Sequence, residues 1–138
     1  MLQRIQSVWL LIASLLSFAT LWFPFFAGNK IENGVNTFIS YTAKDNFIVL
    51  ILNIAVAVAA LVIIFLYKDR KQQIKITVAT LIVSLIAIIV LFTKTSKTET
   101  TVLALTSLIY FVIPVFLVLA IIAIWKDEKL VKSADRLR

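Results

Sequence analysis

Four mostly apolar runs fill this chain, at Ile5–Phe26, Phe47–Tyr67, Ile74–Phe92 and Val102–Trp125. Each is close to the roughly 20 residues that a helix needs to cross about 30 Å of hydrocarbon. In 138 residues that leaves no room for a water-soluble domain, because the longest segment between runs, residues 27–46, is too short to bury a core of its own. The alternative is a bundle of buried helices in water. It fails on polar surface: 62% of residues are hydrophobic, only 15% are charged, and the mean hydropathy is +1.03. The expected fold is all-α: one domain over 1–138, a four-transmembrane-helix bundle.

The lysines and arginines orient it. If the chain alternates across the bilayer, Arg4, Lys68, Arg70, Lys71, Lys75, Lys126, Lys129, Lys132, Arg136 and Arg138 fall on one side, and Lys30, Lys44, Lys94 and Lys97 on the other. Cationic short loops stay in the cytoplasm, so both termini are expected inside. The net charge of +7 therefore lies mostly on one face. These cations flank helix ends without interleaved stacking aromatics, which fits anionic lipid heads and argues against nucleic acid. Trp9, Tyr67 and Trp125 mark the inner level, and Trp22 the outer one, as interface anchors. A cleaved secretory signal does not fit the first run, which is longer than a signal's apolar core and puts Phe25 where a small residue is needed.

The connections are short, with one exception. Residues 68–73 make a polar turn, so the second and third spans are expected to be antiparallel neighbours. Thr98 followed by Glu99 suits a helix start before the fourth span. The outer loop 27–46 has room for local structure: Asn33-Gly34 reads as a turn, and the β-branched and aromatic residues of 35–42 suit a short hairpin, with a plain extended linker as the alternative. Asp45 or Asn46 caps the second span.

Polar residues inside the spans are few. Thr77, Thr80, Ser84 and Ala87 repeat at three- and four-residue spacing on one face of the third span. A stripe of Asn53, Ala57 and Ala60, with Ala55 and Ala59 beside it, runs along the second. Such small-residue faces let helices approach closely, so the two are expected to meet. Asn53 is the most polar side chain well inside a span and should point into the bundle or an assembly contact. Ser14, Ser17 and Thr20 lie in the first span; Thr106, Ser107 and Tyr110 precede Pro114 in the fourth, where the proline should bend the helix. At the inner surface, Gln3, Arg4 and Gln6, with Lys68, Arg70 and Lys71, are candidates for contact with a partner or a lipid phosphate.

Absences limit the chemistry. The chain has no histidine and no cysteine, which excludes imidazole catalysis, thiol chemistry and cysteine-based metal or haem ligation. All seven carboxylates are expected in loops or tails, with Asp127-Glu128 a solvated helix end beside Lys126 and Lys129. Both glycines, Gly28 and Gly34, fall in the outer loop, so no span carries a glycine break of the kind carriers use to expose backbone. No catalytic, metal or cofactor residues are expected.

The opening Met1-Leu2-Gln3-Arg4-Ile5-Gln6-Ser7-Val8-Trp9-Leu10-Leu11, followed by the aromatic-proline cluster of 22–26, resembles a family of small four-span inner-membrane proteins of unknown function from Bacteroidota. The resemblance covers the whole chain and is most specific in the opening motif. It implies a bacterial inner-membrane location, and it carries over no activity and no functional residues. Two roles remain in view. One is a non-catalytic accessory or assembly subunit of a larger membrane complex; the other is a self-contained carrier or channel for a neutral or hydrophobic solute, lined by Asn53, Thr77, Thr80, Ser84 and Tyr110.

Overall fold

A computed structural model describes residues 3–32, 35–95 and 101–135, with side chains from 5–29, 36–93 and 102–133. Four helices form, α1 (Gln3–Ala19), α2 (Phe47–Phe65), α3 (Arg70–Thr95) and α4 (Leu108–Asp135). Three apolar segments, Phe47–Phe65, Arg70–Thr93 and Leu105–Ser133, are long and apolar enough to cross a membrane; Ile5–Ala19 is a shorter apolar helix. In the bundle α1 packs on α2 and α4, and α3 packs on the same two, so the helices close a ring.

Each inward stripe follows the helical repeat: Leu10, Ala13 and Ser17 on α1; Asn53, Val56, Ala57 and Ala60 on α2; Thr77, Thr80, Ser84 and Ala87 on α3; Ile113, Leu117, Ala120 and Ile124 on α4. Leu, Ile and Val side chains also cover the outward faces, with Leu15, Ile51, Phe65, Ile89 and Val115 all at least half exposed. That inside-and-outside apolarity suits helices whose outer solvent is lipid.

The first apolar run does not stay helical to Phe26. Regular helix ends at Ala19, and amide bonds from Leu21 to Phe18, Trp22 to Ala19 and Phe23 to Ala19 wind the chain loosely onward. Pro24 then stops it, because proline has no amide proton and disfavours helix in the residue before it. Phe26 starts a strand instead.

An all-α bundle, with at most a short hairpin in the outer loop, was the expectation; the structure has a three-stranded antiparallel sheet at the end of the bundle where α1 finishes and α2 begins. Its order is β2 (Val35–Tyr41), β1 (Phe26–Glu32), β3 (Thr101–Leu103), with Phe26 opposite Tyr41 on one side and Leu103 on the other. The hairpin of β1 and β2 matches the strand-like reading of the outer loop. The third strand comes from residues assigned by hydropathy to the fourth span, which begins as regular helix only at Leu108 after a 3-10 turn, Leu105–Ser107. Asn33, Gly34, Thr98 and Glu99 lie outside the described residues.

Asn46 wins the cap of α2, its Oδ1 accepting the Ile48 amide at 3.1 Å. Asp45 serves the short Ala43–Asp45 turn, where its carboxylate accepts both the amide and the hydroxyl of Thr42. At the opposite end Asp69 caps α3 by accepting the Gln72 amide at 3.2 Å. Both α3 and α4 outrun their apolar cores, because lysine, glutamate and glutamine are good helix formers where water replaces lipid. The fourth helix also runs through Pro114, whose missing N–H frees the carbonyl of Tyr110 from its usual donor.

Candidate functional site

The polar side chains that the spans carry converge on the inside of the bundle, where water is scarce and each unmet donor or acceptor costs free energy. Those of α3 are closed locally. Thr77 Oγ1 donates to the Gln73 carbonyl at 2.7 Å, Thr80 Oγ1 to Ile76 at 2.8 Å and Ser84 Oγ to Leu81 at 2.7 Å. All three are buried, so their hydroxyls pack as small spacers and present methyl and methylene surface to the neighbouring helices.

Bonds between helices come from other residues. Ser14 Oγ reaches the Ala57 carbonyl at 2.9 Å and ties α1 to α2. Gln73 Nε2 reaches the Ile63 carbonyl at 3.1 Å and ties α3 to the end of α2. Tyr110, fully enclosed, directs its hydroxyl at the carbonyls of Thr20 and Phe23, at 2.8 and 3.1 Å, so it satisfies the unwinding end of α1. Its ring meets Phe25 edge-on at 4.8 Å between centroids. That makes Tyr110 a clamp between α4 and the end of α1.

Asn53 points into the bundle, as expected, at 4% exposure. Its Nδ2 has no partner among the described residues, and neither has Ser17 Oγ. The Ser14–Ala57 bond fixes the register of these antiparallel helices, and one turn toward the sheet it places Ser17 and Asn53 at the same height. Since an orphaned donor gains nothing from burial, Asn53→Leu should leave thermal stability in detergent unchanged or raise it by about 1 kcal/mol. A loss of 2 kcal/mol or more on unfolding would show that the amide makes a bond that stabilises the fold.

At the end of the bundle that bears the α2–α3 connection the reading of Asp127 as a solvated residue is corrected. Asp127 is 8% exposed, its Oδ2 lies 3.2 Å from Arg70 Nη2, and its carbonyl accepts from Arg70 Nη1 at 3.1 Å. Spacing gives the reason, since Ile124 and Asp127 continue the stripe of Leu117 and Ala120. Arg70 is therefore engaged within the bundle, and Gln6 is buried, its Oε1 unpartnered among the described residues. Of the candidate surface contacts, Lys68 and Lys71 remain exposed, while the side chains of Gln3 and Arg4 lie outside the described set. Among the described residues no group of three or more histidine, cysteine, aspartate or glutamate side chains could hold a metal ion.

The sequence that folds into these four helices and their sheet is matched over residues 2–137 by the model of a family described as Domain of unknown function (DUF4293). The chain belongs to the DUF4293 family. That agrees with the expectation of an uncharacterised family covering the whole sequence. No curated protein and no solved structure matches it.

Proposed function

We propose that this DUF4293 protein is a non-catalytic, multi-pass protein of the bacterial inner membrane, with both termini cytoplasmic, that serves as an accessory or assembly subunit of a larger membrane complex. The observation that carries this reading is the closure of the Thr77, Thr80 and Ser84 hydroxyls on carbonyls of their own helix. Side chains bonded in that way do not offer donors to a passing solute; they give helix faces that pack. The excess of basic residues at the end bearing the α2–α3 turn supports the orientation.

A carrier for a small neutral solute is the second reading, and the unpartnered Ser17 and Asn53 atoms in one layer favour it. Quantitative mass spectrometry of the chromosomally tagged protein, purified in mild detergent at endogenous level, separates the two. A stoichiometric complex with another membrane protein is the expected result. Recovery alone, or only with further copies of itself, would overturn the subunit reading and direct attention to solute flux in liposomes.

A further inference from the structure

Between α2 and α3, on the side away from the bundle interior, lies a groove of about 240 Å³ lined by Ala55, Val56, Ala59, Ile76, Ala79 and Val83. Ala55 and Ala79 are exposed, so the groove opens outward, toward lipid in a membrane. The remaining lining residue, Thr80, has its hydroxyl bonded to the Ile76 carbonyl, which leaves the wall apolar. We propose that this groove and the lysines below it bind one anionic phospholipid, with an acyl chain between α2 and α3 and the phosphate at Lys68, Lys71 and Lys75.

Charge and placement select that occupant. Lys75 precedes Ala79 by four residues, so the two share a face of α3 one turn apart. From Lys75 to Val83 the helix rises about 12 Å. That lies within one leaflet of a hydrocarbon core about 30 Å thick. Lys68 lies in the connection before α3, Lys71 in the first turn of α3 four residues before Lys75, and all three lysines are exposed.

The acids at this end whose side chains are described are otherwise engaged. Asp69 caps α3, Asp127 pairs with Arg70, and Glu128 pairs with Lys132 at 2.7 Å. Among the described residues Lys68, Lys71 and Lys75 have no carboxylate partner. Exposed Tyr67 stands beside them at the level where phenol rings meet headgroups. An apolar slot that ends in unneutralised ammonium groups matches a lipid with a negative head, whereas a partner helix would fill the slot without using the charges.

The test measures lipid binding to the full chain in a neutral detergent by native mass spectrometry. It compares phosphatidylglycerol with phosphatidylcholine of identical acyl chains, and sets glycerol phosphate and inorganic phosphate beside them. Phosphatidylglycerol, the anionic lipid, should bind more tightly, and each of Lys68→Gln, Lys71→Gln and Lys75→Gln should weaken it roughly five-fold. The triple variant should bind both lipids alike. Ala79→Leu, a change on an outward face that leaves the core untouched, should weaken both lipids by filling the slot, with Ala55→Leu as its counterpart. Equal binding of the two lipids by the unaltered protein would overturn the proposal, as would phosphate alone competing as well as the lipid, which marks a free-anion site. So would a copurifying transmembrane polypeptide that crosslinks in the groove in place of lipid.

Discussion

Replacing Phe25 by alanine should cost about 3–5 kcal/mol, the range for removing a large buried aromatic from a packed site. Phe25 is fully enclosed and its ring touches Phe26, Phe92, Tyr110 and Phe111, with centroids 4.6, 5.4, 4.8 and 5.9 Å away. Its backbone does a second job, the amide donating to the Tyr41 carbonyl at 2.8 Å and the carbonyl accepting from the Ala104 amide at 3.0 Å. The residue therefore joins the sheet to the helix ends at the point where the chain leaves α1. Alanine would keep both backbone bonds and lose the dispersion contacts of the whole ring, so the sheet should loosen before the helices separate.

The expected signature is a lower unfolding temperature in detergent, together with faster amide exchange in β1 and β2 than in α2. Phe38→Ala is the control, because Phe38 is 73% exposed on the hairpin and its truncation should change stability little. Equal losses from the two substitutions would show that Phe25 does not anchor the sheet.

Phe25 also shows what hydropathy alone conceals. Counting apolar residues puts it in the first span, since a phenylalanine scores the same in a helix crossing lipid and in a residue leading into a strand. Pro24 is the local signal that the helix has to end, and the sequence carries it openly. The third strand has no comparable signal, because Thr101, Val102 and Leu103 suit a strand and an apolar helix start equally well, and only pairing with β1 decides between them.

The buried stripes were legible for the opposite reason. Thr77, Thr80 and Ser84 recur at helical spacing, and the structure puts all of them inside. Gln73 and Asp127 continue those same stripes past the apolar runs, one turn before Thr77 and one turn after Ile124. Following the helical period beyond the last hydrophobic residue would have found both. What the spacing cannot specify is the direction of each hydroxyl's bond, and so whether a stripe of threonines lines a path or packs a seam.

The Arg70–Asp127 pair gives the second large effect. Asp127→Leu should destabilise the protein by about 2 kcal/mol, below the 3–5 kcal/mol of a fully buried pair because Arg70 keeps 22% of its side chain exposed and part of its hydration. The loss comes mainly from Arg70, left with the carbonyl of residue 127 as its remaining acceptor at this contact while still held between α3 and α4. Removing both charges, with Arg70→Met and Asp127→Leu together, should recover most of that loss, because two apolar side chains of similar size need no compensation in a packed helix seam. Thermal unfolding of both single variants and the double variant in one detergent completes the cycle. A double variant as unstable as the sum of the two singles would mean that Arg70 and Asp127 act independently, and that the 3.2 Å contact contributes nothing to holding α3 against α4.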